Sequence, residues 1–164
     1  MKKQVIFFVT FIFFIIFNSA VSGGINDRIV AYVDTQAITM SELETKFSET
    51  KKVLPEITKE EVLNTMINRV LLLGEAKKIR LEAPTDEEIL NEYIDLKIKS
   101  LIRVKEEDIH DFYRTNPDKF EGKQIEDVWD EIETYLVERD LNEYLKRHIN
   151  ELKVRTCVKI QLQE

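Results

Sequence analysis

Three times the chain spells Thr-x-x-Glu immediately ahead of an apolar-periodic stretch: Thr39-Met40-Ser41-Glu42, Thr58-Lys59-Glu60-Glu61 and Thr85-Asp86-Glu87-Glu88. In this pattern the threonine hydroxyl accepts from the amide three residues on, and the glutamate reaches back to the threonine amide, so two orphan donors of a helix start are satisfied at once. Each box therefore predicts a helix. Leu43 and Phe47 fall on the buried side of the first, which Leu54-Pro55 interrupts. The second carries Val62, Met66, Ile67, Val70, Leu71 and Leu73 to about Ile79, with Gly74 inside it as a site of close packing or a weak point. In the third, which follows Ala83-Pro84, Ile89, Tyr93, Leu96 and Leu101 are expected to share one face.

Val104-Lys105-Glu106-Glu107-Asp108 opens a fourth helical stretch through Ile109, Phe112 and Tyr113, which stops near Asn116-Pro117 because proline disfavours helix in the residue before it. From Ile125, apolar residues recur at Val128, Trp129, Ile132, Leu136, Leu141, Leu145, Ile149 and Leu152 with no internal glycine or proline. One long amphipathic helix is expected, with charge pairs such as Glu143 and Arg147 on its wet side.

Strand signals stand only at the two ends of this helical series. Arg28 to Val33, then Asp34-Thr35-Gln36 and Ala37 to Thr39, read as a hairpin, and Val154, Thr156, Val158, Ile160 and Leu162 alternate with polar partners as a half-buried strand. An isolated hairpin is only marginally stable in water, so the terminal strand is expected to pair with the first hairpin and close the domain. The fold class is thus mainly α with a small antiparallel β-sheet, an α+β core closed by an N-terminal hairpin and a C-terminal strand.

Met1-Lys2-Lys3-Gln4, the apolar run Val5 to Phe17 and the small or polar residues Asn18 to Gly24 make the three parts of a secretory signal. The run is too short to span a hydrocarbon core of roughly 30 Å, so residues 1–22 read as a signal peptide cut after Ala20 or Ser22 and not as an anchor. If it stays uncut, it is the one membrane contact expected. Its removal takes Lys2, Lys3 and six of nine phenylalanines, and moves the net charge from −7 to −9 over 142 residues. Residues 23–164 then form one domain, with an N-terminal part at 25–120 and a C-terminal helix and strand at 121–164.

So acidic a chain, without a lysine- or arginine-rich cluster, is a poor partner for nucleic acid. Its glycines, at 23, 24, 74 and 122, form no phosphate loop, which argues against ATP-driven action. His110 and His148 have no ligand-spaced companion, and Cys157 stands alone as a small strand residue or, at most, a thiol for an intermolecular bridge. The acidic runs Asp86-Glu87-Glu88 and Glu106-Glu107-Asp108 fall in helix first turns, where negative charge favours the dipole. No catalytic constellation, metal site or cofactor is expected.

Three stretches, Asn26 to Val33 with Ile38 to Leu43, Val62 to Leu73, and Val104 to Tyr113 followed by Asn116 and Phe120, resemble the SurA-like periplasmic chaperone family, whose relatives include PpiD and PrsA. The likeness covers nearly all the chain after the signal, including the long closing helix and terminal strand. It implies an ATP-independent holdase for unfolded exported chains, outer-membrane proteins among them, acting in the periplasm. The chain departs from the family in passing from Phe120 directly to Glu121-Gly122-Lys123-Gln124, where a parvulin prolyl-isomerase domain commonly stands, and in a shortened middle after Ile89. Isomerase activity is therefore not implied. Client contact is assigned to Met40, Phe47, Met66, Tyr93, Phe112 and Tyr113, as adaptable or large apolar side chains within an acidic rim. The alternative is a structural or assembly subunit with one dedicated protein partner, a domain-exchanged homodimer that completes the shortened arm being one form of it.

Overall fold

The computed structural model describes residues 27–162, and the segment read as an export signal lies outside them. Strands β1 (Ile29–Val33) and β2 (Gln36–Thr39) are followed by helices α1 (Met40–Lys51), α2 (Lys59–Lys78), α3 (Asp86–Lys97), α4 (Glu106–Thr115) and α5 (Ile125–Arg155), and then by β3 (Val158–Ile160). Short 3₁₀ turns at Lys99–Leu101 and Pro117–Lys119 bracket α4. The α+β class read from the sequence is the one observed.

Both ladders are antiparallel and β1 is central, in the order β2-β1-β3. The hairpin turns at Asp34, whose φ of 52° lies in the left-handed region that aspartate tolerates better than most residues. Asp34 also ties the two ends of the described fold together. Its N–H donates to the Cys157 carbonyl at 2.9 Å, and its carboxylate accepts from the Cys157 N–H at 3.1 Å. Val30 and Ala31, successive residues of the central strand, are both fully buried.

All three Thr-x-x-Glu boxes close as read, with Thr39, Thr58 and Thr85 as N-caps. At α4 the cap is Lys105, which has no side-chain acceptor, so only one half of the box forms, Lys105 N–H to the Asp108 carboxylate at 2.9 Å. The end of α2 is a Schellman motif: Leu81 N–H reaches the Ala76 carbonyl and Arg80 N–H that of Lys77, with Arg80 at φ 60° where glycine is usual. Before α5, Glu121 (φ 50°) and Gly122 (φ 78°) make the turn, and Lys123 N–H returns to the Phe120 carbonyl at 2.9 Å.

The apolar residues divide into two clusters. The first gathers β1, Ile38, Leu43, the buried side of α2, and Ile89, Leu90 and Tyr93, with Leu152 from the far end of α5. The second joins Ile109, Phe120, Val128, Ile132 and Leu136. Helix α5, about 46 Å long at 1.5 Å per residue, belongs to both. The single stripe expected along it is in fact two. At 100° per residue, Val128, Ile132 and Leu136 centre roughly 145° around the axis from Leu141, Leu145, Ile149 and Leu152, because the five-residue step after Leu136 carries the pattern across the helix.

Several other expectations are corrected. Leu96 and Leu101 are 53% and 61% exposed; α3 buries Ile89, Leu90 and Tyr93, and the break after Lys97 turns Leu101 off that face. Val154 belongs to the last turn of α5 and is 88% exposed, so the terminal strand is shorter than its alternation suggested. Arg147 places its guanidinium 4.3 Å from the Tyr144 ring centroid instead of pairing with Glu143. Gly74 is not a close-packing site, since a Cβ there would meet nothing within 4 Å. Gly74→Ala should therefore stabilise the protein by up to about 1 kcal/mol, read as a raised denaturation midpoint in urea.

Candidate functional site

Helices α1 and α2 pack side by side against the sheet, and open grooves flank α1. The larger, about 720 Å³, is lined by Met40, Leu63, Ile160 and Leu162, with Arg28, Glu44, Thr58, Lys59, Glu60 and Asn64 around them. Its apolar floor follows from the sheet register. Ile160 pairs with Ala31 and Val158 with Val33, and in an antiparallel ladder paired residues project from the same face, so β3 extends the face on which Ala31 and Val33 are buried. The helices cover Ala31 completely yet leave Ile160 55% exposed. The groove is thus an uncovered margin of the first core.

A second groove, about 550 Å³, lies on the β2 side, where Ala37, Ile38, Met66 and Val70 meet Ser41, Glu42, Thr45, Lys46 and Arg69. The rims of both are mixed in charge, against the expectation of an acidic rim. At the larger groove Lys59 is ion-paired with Glu44.

The six residues assigned to client contact do not form one surface. Met40 and Met66 are half-buried and open into different grooves. Phe47, also half-buried against the first core, is flanked by Lys51 Nζ at 5.1 Å and Lys59 Nζ at 5.6 Å from its ring centroid. Tyr93 is a core residue, 2% exposed, with its hydroxyl 2.7 Å from His148 Nε2, so it ties α3 to α5. Burial pushes that hydroxyl's pKa above its ordinary value. Phe112 and Tyr113 pack on the second core; Tyr113 stacks on Phe120 and donates to the Lys123 carbonyl at 2.6 Å, while Lys119 lies over the Phe112 ring. Leu63, Ile160 and Leu162 were not assigned to contact. Alternation marked Ile160 and Leu162 as strand residues, but only the topology leaves them at an open margin.

Among the described residues no group of three His, Cys, Asp or Glu side chains could hold a metal ion, and no helix is long and apolar enough to cross a membrane. Cys157 is exposed and unbridged.

The wall of the larger groove includes a titrating cap. Hydrogen bonds from the Thr58 N–H and hydroxyl hold the Glu61 carboxyl below its ordinary pKa. A depressed carboxyl stabilises above its unfolded pKa, and that contribution is lost as pH falls through the folded value. Amide exchange at the start of α2 should accelerate on acidification across this range, beyond the intrinsic pH dependence, and Glu61→Gln, which keeps the box without a titrating group, should remove the extra acceleration. Tyr93→Phe should lower stability by about 1 kcal/mol, measured by urea denaturation, through the hydrogen bond it removes from His148. The chain matches no protein-family model, no curated protein and no solved structure.

Proposed function

We propose that the protein is an ATP-independent holdase that works in the periplasm on unfolded exported polypeptides, outer-membrane proteins among them, without isomerase activity. The observation that carries this reading is the larger groove: Met40, Ile160 and Leu162, over the buried Leu63, form an apolar floor left open to water beside a strand. Its volume of about 720 Å³ suits a few apolar side chains of an extended segment. Met40 supplies an unbranched, adaptable contact, and burial of client groups there is worth about 25 cal/mol per Å². Further uncovered apolar side chains stand at Val53, Leu54, Leu96 and Leu101. The sequence supports the same reading with an export signal, no nucleotide loop and the SurA-like order of its elements.

A dedicated assembly subunit, including a homodimer, is the second reading, and the outer edge of β2, unpaired among the described residues, favours it. A solution mass of two chains, or one stoichiometric folded partner in place of many unfolded ones, would select it. For the holdase, light scattering on dilution of a denatured outer-membrane protein should fall when the protein is present in several-fold molar excess. Met40→Glu, which sets a charge on the groove floor, should weaken this protection. Undiminished scattering with the unaltered protein refutes the proposal.

A further inference from the structure

The holdase reading leaves open how a client is gripped, and the register of β3 answers this in backbone terms. Asp34 N–H donates to the Cys157 carbonyl, and Gln161 N–H donates to the Val30 carbonyl at 2.8 Å. In an antiparallel ladder the residues that exchange hydrogen bonds alternate, so Cys157, Lys159 and Gln161 turn their peptide groups toward β1. Val158 and Ile160 turn theirs away. No strand lies on that side among the described residues.

A strand added there would continue the alternation of faces. Side chains opposite Val158 and Ile160 would project over the apolar groove floor, and the one opposite Lys159 would project from the other face, beside the ammonium group. The sequence leading into and through β3 is basic in a chain of net charge −7, with Lys146, Arg147, Lys153, Arg155 and Lys159 against Glu151 alone from Lys146 to Ile160, while the groove beside the strand keeps its mixed rim of Arg28, Lys59, Glu44 and Glu60. A second copy of the chain fits this edge poorly. Any antiparallel self-pairing over the whole of β3 sets Lys159 opposite Lys159, and like charges directly opposite are destabilising.

We propose that the free edge of β3 is a strand-addition site for extended segments in which apolar and acidic residues alternate, the apolar ones entering the groove of Met40, Leu63, Ile160 and Leu162 and the acidic ones meeting Lys159. The ladder supplies affinity that depends little on side chains, and the two faces supply the preference. This rests on the holdase reading and specifies its client.

The test titrates the protein, in the form cells contain, with dye-labelled synthetic peptides that alternate valine with glutamate or valine with lysine, followed by fluorescence anisotropy and amide hydrogen exchange. The glutamate peptide should bind about fivefold more tightly than the lysine peptide and should slow exchange at Val158 and Ile160. Lys159→Glu should reverse the preference. Ile160→Pro removes an N–H that β1 does not use, so it should abolish peptide binding while the β1–β3 amides stay protected. Equal affinity for the two peptides, no binding of either, or unchanged exchange at Val158 and Ile160 on saturation overturns the proposal, and the exchange measurement needs no variant. Intact suppression of aggregation alongside any of these results leaves the holdase standing and removes only the edge site.

Discussion

The first core depends on the pairing of β1 with β3. A three-residue strand contributes little by itself, yet this one fixes the far end of α5 against β1, and with it the placement of Leu152 among the residues of β1 and α2. Asp34 reinforces the junction from the hairpin position where a left-handed turn is also required. Because the entropy of closing a loop grows only slowly with its length, the long chain between Asp34 and Cys157 costs little more to close than a much shorter one. The same pairing gives the hairpin a third strand, without which it would be marginal.

Helix α5 is the second organising element. Two apolar faces on nearly opposite sides of one helix allow it to serve two clusters without bending, and its polar centre at Arg139, Asp140 and Glu143 lies between them. A helix with one continuous stripe would press both clusters onto the same side. The five-residue step from Leu136 to Leu141 is therefore an architectural feature, the point where the helix passes from one core to the other.

Local chemistry was the most legible part of the fold. Thr39, Thr58 and Thr85 needed only partners three residues away, and all three helix starts follow from that spacing. The end of α2 was located near Ile79, but its mechanism was hidden because Arg80 occupies the left-handed position where a glycine would have announced it. At the C-terminus, helical spacing through Leu152 and two-residue alternation from Val154 overlap, and the helix extends further because Val154 and Arg155 can still complete its backbone ladder. The candidate site was partly legible. Met40 and Met66 line two different grooves, whereas Tyr93 lies in the core with its hydroxyl on His148, 55 residues away in sequence. The open margin at Ile160 could not be read at all, since it depends on which strand occupies the centre of the sheet.

The position of β3 in the chain also sets the order in which the molecule can be completed. A polypeptide that emerges from its N-terminus displays β1 and the whole of α2 well before the strand that closes them exists. Until β3 has emerged, both flanks of β1–β2 remain open, and until α5 is complete Leu152 is missing from its place, so contacts of high sequence separation come late. For that interval the newborn chain is itself a polypeptide with an unmatched strand and uncovered apolar surface, and it depends on quick completion or on a guardian of its own.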